Sequence, residues 1–387
     1  MKRWFFAFLP LILLGILVAL ILTTGPLGLF RTILPPIQEL AVERIVLKPD
    51  EILLYVVNDG PDPITIAQVM VNGAFWNFRI EPRKTLPRLG RGTIRIPYPW
   101  VEGDTEHITL LTRDGVTFEV EVEVATVTPT PDFKYLSTFA LLGFYVGVIP
   151  VFLGLLWLPF LKRLRSGWYS FFLALSVGLL FFLGVDALVE AIETTDRTPK
   201  TFQGVGVLII GLSLSFLILS AISRQSQKRA KEAGEAHRKL VLAFLIAFGI
   251  GVHNLGEGLA IGAAYAIGEV ALGALLVLGF MIHNVTEGVA IIAPIARTGP
   301  SIRHLGLMGL LAGGPTILGT WIGGFSYSAI WAVLFLAIGA GAVFQVIIQI
   351  VRQMAIGAPG SLATFGNVAG FAAGLLIMYA TGFFVAM

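Results

Sequence analysis

Two stretches of the chain repeat one polar cassette inside apolar surroundings: His253-Asn254-Leu255-Gly256-Glu257-Gly258 and His283-Asn284-Val285-Thr286-Glu287-Gly288. Histidine nitrogen and carboxylate oxygen are ligands for zinc and its neighbours, and the asparagine amide can add an oxygen. In an α-helix, positions i and i+4 lie about 40° apart around the axis and roughly 6 Å apart along it, so each His shares a face with its Glu. Asn254, three residues before Glu257, borders the same face. A short loop between the two helices makes them antiparallel. Matching depth would then bring two imidazoles, two amides and two carboxylates together as a site for a divalent cation.

Energetics separates this pattern from coincidence. An ionised carboxylate near the centre of a bilayer costs about 3 kcal/mol on insertion scales and more in simulations, so such residues face a bundle interior or an aqueous path. A dication neutralises Glu257 and Glu287 together, and neutral imidazoles supply the nitrogen ligands. Binding must displace protons from the ligand set, which makes it dependent on pH. A single intramembrane His or Asn is more often an interhelical hydrogen-bond partner; the tandem repeat favours the metal.

Other polar residues admit two readings. Asp186, Glu190 and Glu193 follow at i, i+4 and i+7. Asp186 lies deep, whereas Glu190 and Glu193 approach a membrane surface as a solvated helix end or a cation-attracting funnel. Gln345 and Gln349 share a face as candidates for helix-to-helix hydrogen bonds. Gly251, Gly256, Gly258 and Gly262 are packing residues that allow close helix approach.

The elements that must position these side chains are membrane helices. Hydrophobic residues make up 56% of the chain and charged residues 13%, with a mean hydropathy of +0.84, more apolar than a water-exposed globular surface tolerates. With no cysteine, thiolate sites and disulfides are excluded. The net charge of +3 is carried in short runs between apolar segments, which is the pattern of membrane orientation rather than of nucleic-acid binding. A transmembrane helix needs about 20 apolar residues. Nine stretches qualify: residues 4–22, 136–160, 168–189, 202–222, 240–262, 270–293, 305–324, 329–351 and 366–386. The first, after Lys2 and Arg3, reads as an uncleaved anchor (residues 1–25), since no A-x-A-like cleavage site follows its long apolar run.

Alternate loops carry most of the lysine and arginine: Lys162, Arg163 and Arg165; Arg224, Lys228, Arg229, Lys231, Arg238 and Lys239; Arg297 and Arg303; and Arg352. The opposite loops hold Arg197 and Lys200. The positive-inside rule makes the first set cytoplasmic, together with the N-terminus, and puts the C-terminus outside a cell membrane that the chain crosses many times.

Residues 38–128 differ in texture. Alternating runs at 44–47, 52–57, 64–71 and 116–124, separated by turn signals such as Asn72-Gly73 and Arg113-Asp114-Gly115, predict a small antiparallel sandwich of roughly seven strands, Ig-like in plan, outside the cytoplasm. Its lone His107 has no metal-site pattern. Residues 126–132, with two prolines, read as a stiff linker, and the division is 38–128 for the sandwich, 129–135 for the linker and 136–387 for the bundle.

The tandem cassettes resemble the HNxxEG-like motifs on the fourth and fifth core helices of the ZIP (Zrt-/Irt-like protein) family. The resemblance covers about 136–386, with the anchor and the sandwich as additions. It implies a mainly α, eight-helix membrane bundle that transports divalent metals toward the cytoplasm. Zinc comes first, with Fe²⁺, Mn²⁺ and Cd²⁺ as alternatives, and neither a catalytic cofactor nor enzymatic activity is implied. It also implies that His253, Glu257, His283 and Glu287 coordinate the metal, with Asn254 and Asn284 as secondary ligands and Asp186 contributing from the second core helix; a homodimer is possible. Two departures stand out. Gly256 and Thr286 replace prolines found in many cassettes, and Gly314 stands before Pro315 where the family often has glutamate, which predicts one well-formed site. The rival class is a membrane-embedded metal-dependent hydrolase, disfavoured by the absence of HExxH and of an evident nucleophile.

Overall fold

The computed structural model describes residues 12–17, 19, 37–122, 124–196, 198–230, 234–266, 270–326, 328–357 and 362–386. It contains a β region followed by a helical region. Most of the expected anchor lies outside the described residues; 12–17 and 19 are helical, and Ile12, Leu13, Leu14, Ile16 and Leu17 are exposed.

Nine strands form the β region: β1 (Leu40–Lys48), β2 (Glu51–Asn58), β3 (Ile64–Val71), β4 (Ala74–Trp76), β5 (Arg79–Glu81), β6 (Thr85–Leu86), β7 (Arg91–Ile96), β8 (Glu106–Thr112) and β9 (Thr117–Val122). One sheet runs β1-β2-β7-β5 and the other β4-β3-β8-β9, with β6 paired to β3. Every pairing is antiparallel. Strand alternation turns Ile52, Leu54 and Val56 of one sheet and Ile66, Val69, Ile108 and Leu110 of the other into a single apolar cluster, so the sheets pack face to face. The count exceeds the expected seven because β4, β5 and β6 span only two or three residues, too short for alternation to register. The β3–β4 hairpin turns at Asn72-Gly73, both at positive φ (51° and 78°), as a type I′ turn requires.

The helices are α1 (Phe133–Gly143), α2 (Ile149–Leu155), α3 (Leu158–Lys162), α4 (Ser166–Asp196), α5 (Gly204–Ala230), α6 (Glu235–Ala266), α7 (Val270–Ile292), α8 (Ile302–Gly313), α9 (Pro315–Ser326), α10 (Ala329–Gly357) and α11 (Phe365–Ala386). They make eight passages long and apolar enough to cross a membrane, because α1–α3 form one and α8–α9 another. The first begins at Phe133, three residues before the expected start. Asp132 caps it by accepting a hydrogen bond from the Tyr135 amide at 2.8 Å, a role for which aspartate is well suited.

Both broken passages break at proline. A π-turn, Phe144–Val148, precedes Pro150, and α8 gives way to α9 at Gly314-Pro315. Proline lacks the amide hydrogen that would pair with the carbonyl four residues earlier, so it opens the helical ladder. The cassette helices α6 and α7 run through their motifs without interruption. With Gly256 and Thr286 in place of proline, the irregular backbone sits in the neighbouring helices.

Glycine sets how closely these helices approach. On α6, a Cβ at Gly258 or Gly262 would overlap the carbonyl oxygen of Thr316 or Thr320 on α9; on α7, one at Gly288 would overlap that of Val151 on α2. Gly256 instead faces the Leu336 side chain of α10. The β region contacts the α4–α5 connection: the Asp59 carboxylate accepts from the Lys200 and Thr201 amides at 2.5 and 2.9 Å, and Lys200 Nζ lies 3.0 Å from Glu39.

Candidate metal centre

The helical register of α6 stacks His253 one turn before Glu257, and that of α7 does the same for His283 and Glu287. One ligand atom from each of the four residues lies within 4.8 Å of the other three. Among the described residues this is the one such group. All four residues are at most 7% exposed, and Asn254 and Asn284 are fully buried.

The hydrogen bonds cross between the helices in a reciprocal pattern. Asn254 Nδ2 on α6 donates to Glu287 Oε2 on α7 at 3.0 Å, and Asn284 Nδ2 on α7 donates to Glu257 Oε2 on α6 at 3.1 Å. Each amide spends its second hydrogen on a backbone carbonyl of a broken passage: Asn254 on Ala312 at 3.2 Å and Asn284 on Val146 at 2.9 Å. One acceptor follows from a proline and the other from a helix end. Val146 stands four residues before Pro150, which has no hydrogen to offer it, and Ala312 lies in the last turn of α8, where carbonyls lack intrahelical partners. The glycine after each glutamate packs beside the same breaks, Gly258 against Thr316 and Gly288 against Val151. The centre is thus two equivalent halves, each a cassette helix docked on a proline-broken neighbour. The breaks also meet each other, since Gly147 of the π-turn abuts Gly313 at the end of α8.

The carboxylates are not equivalent. Glu257 Oε1 contacts His253 Nε2 at 3.2 Å and also His283 Nε2, so with Asn284 it has three partners. Glu287 has one, and its Oε1 is buried without any. His253 Nδ1, Asn254 Oδ1 and Asn284 Oδ1 are buried without partners as well. Burying an unpaired acceptor costs about 1–3 kcal/mol. Four such atoms on the residues of one buried cluster, all oxygen or imidazole nitrogen, are of the types that suit a borderline divalent cation.

Six of the seven residues singled out by sequence meet here. Asp186 on α4 is exposed and stands outside the four-residue group. Glu190 is half-buried farther along α4 and Glu193 is exposed. Gln349 meets the expectation of a helix-to-helix bond, accepting from Gln227 of α5 at 3.3 Å, whereas Gln345 Oε1 has no partner. Sequence reasoning passed over the Val146 and Ala312 carbonyls. For Val146 the signal was Pro150 inside an apolar segment, which frees the carbonyl four residues earlier, and for Ala312 it was the helix end that Pro315 imposes.

No curated protein gives a significant match to the chain. Residues 217–341, which contain both cassettes, match a family model described as ZIP zinc transporter. The tandem HNxxEG cassettes and the eight membrane-capable helices accompany this match, so the segment that holds the site is similar to the ZIP zinc transporter family.

Proposed function

We propose that the chain carries zinc across the membrane toward the cytoplasm, through a site formed by His253, Glu257, His283 and Glu287. One observation carries the reading: four buried ligand atoms gather within 4.8 Å at the meeting of two antiparallel helices, beside further acceptors that lack partners. The side bearing the basic loops is the cytoplasmic one, which leaves the β region and the C-terminus outside. Fe²⁺, Mn²⁺ and Cd²⁺ suit the same donor set. The division into anchor, sandwich, linker and bundle, and a homodimeric assembly, belong to this proposal.

The arrangement of partners supports an order of events. Glu287 Oε1 is free to meet an arriving cation first. Glu257 must then release its two imidazoles, which turn their Nε2 lone pairs to the metal and surrender protons as they do. Asn254 and Asn284 hold both carboxylates in place meanwhile, and their unpartnered Oδ1 atoms lie at hand as further ligands. Asp186 adds negative charge along the path. Movement of one helix group against another then opens the site to alternate sides, and the proline breaks beside it are where the backbone can yield.

A proteoliposome flux assay with an internal zinc-sensitive dye tests this. Glu257→Ala and Glu287→Ala are expected to abolish zinc entry; entry at the unaltered rate in either variant would remove that carboxylate from the mechanism.

A further inference from the structure

At the end of the bundle that carries the basic loops, α5, α6 and α10 enclose a cavity of about 330 Å³ that plays no part in the metal centre. Its rim is cationic: Arg224 from α5, Arg238 and Lys239 from α6, and Arg352 from α10. Lys239 shares its charge with Glu235 at 2.7 Å; the three arginines have no ion-pair partner among the described residues. With Lys239 paired, three arginine charges face the opening and disfavour a dication there.

Away from these charges the lining is uncharged and mixes Leu242 and Ile348 with hydrogen-bonding side chains. Gln345 and Gln349 line it at 4% and 5% exposure, and Gln345 Oε1 and Gln349 Nε2 have no partner. Ser220 and Ser223 lie opposite. Arg352 and Gln345 stand seven residues apart on α10, about 10 Å along the axis, so cations at the mouth give way to amides and hydroxyls inside. A second groove shares Phe216, Ser220 and Arg224 with the first; Gln225 and Lys228 border it at the charged end, and it runs out over Ala221 and the exposed Leu217 of α5. Cations, then neutral hydrogen-bonding groups, then an open apolar track on a membrane-facing helix match the order of groups in a phospholipid.

We propose that this cavity binds an anionic phospholipid of the leaflet that the basic loops face: the phosphate against Arg224, Arg238 and Arg352, the ester region against Ser220, Ser223 and Gln349, and one acyl chain along Phe216 and Leu217. The arginine forks suit phosphate oxygens, and Gln349 Nε2 gains the acceptor it lacks. A lipid held across α5, α6 and α10 braces the cassette helix α6 at its inner end.

The test uses the full-length protein, delipidated in neutral detergent. Thermal unfolding is followed with dioleoylphosphatidylglycerol, with dioleoylphosphatidylcholine, or with inorganic phosphate, and retained lipid is counted by native mass spectrometry. Phosphatidylglycerol is expected to raise the unfolding midpoint by about 3 °C or more and to remain as one bound molecule, while phosphatidylcholine and phosphate do neither. The Arg238→Gln/Arg352→Gln double variant, and separately Gln349→Leu, should lose the shift and cut the retained lipid about tenfold while binding zinc as the unaltered protein does. Equal shifts with the two lipids, a shift reproduced by phosphate alone, or full retention of phosphatidylglycerol by both variants would overturn the proposal.

Discussion

The inequality between the two carboxylates makes the pair Glu257→Gln and Glu287→Gln informative. Glutamine keeps the shape but offers one acceptor and one donor where glutamate offers two acceptors. At 257 both oxygens are engaged, Oε1 by the imidazoles of His253 and His283 and Oε2 by Asn284. Turned one way, the new NH₂ meets the Asn284 NH₂. Turned the other way, it forces the imidazole protons onto Nδ1, and His253 Nδ1 is buried without a partner. Either way a buried donor goes unpaired, at about 1–3 kcal/mol. At 287 the amide oxygen can take the Asn254 hydrogen while the NH₂ replaces an oxygen that already lacked a partner, so metal-free stability should change by less than about 1 kcal/mol. Both variants halve the negative charge facing a dication. Removing one member of a buried charge pair costs about 3–5 kcal/mol, a loss in zinc affinity between about a hundredfold and several thousandfold. Thermal unfolding without metal should therefore separate the variants, and calorimetric zinc titration should not. Equal destabilisation by both substitutions, or unaltered zinc affinity in either, would refute this reasoning.

Other consequences are as direct. Zinc binding and flux should weaken as pH falls through mildly acidic values, because imidazole and carboxylate must shed protons to act as ligands; affinity that is flat from pH 7.5 to 5.5 would contradict this. Gly258→Val and Gly288→Val push side chains into the Thr316 and Val151 backbones, and overpacking of this kind costs about 1–3 kcal/mol or more, so purified yield and unfolding temperature should both drop. Asp59→Ala should speed hydrogen exchange at the Lys200 and Thr201 amides without altering zinc affinity, which exchange mass spectrometry can read.

Reading order from sequence worked where one physical rule dominates. Hydrocarbon demands long apolar helices, so all eight passages among the described residues were visible in apolar stretches. The ligand faces followed because i, i+4 geometry is fixed by the helix itself. The β region was partly visible: β3 alternates clearly, β2 is a continuous apolar run and the Asn72-Gly73 turn marks the β3–β4 hairpin, whereas β5 and β6 owe their pairing to strands that do not adjoin them in sequence. Least visible was the bracing of the centre. Nothing local to Asn254 or Asn284 states that each reaches a glutamate on the other helix, or that the carbonyls they meet belong to helices broken at Pro150 and Pro315. Those contacts depend on which helices become neighbours, and that depends on where glycine lets backbones touch.

The central claim is that the four clustered ligands hold one divalent cation. Anomalous diffraction at the zinc edge, from crystals of the full chain soaked in zinc, tests it most directly. The account predicts a single strong intramembrane peak between α6 and α7, within coordination distance of His253, Glu257, His283 and Glu287. A soaked crystal with no peak there, or with its intramembrane zinc bound by other residues, would contradict it.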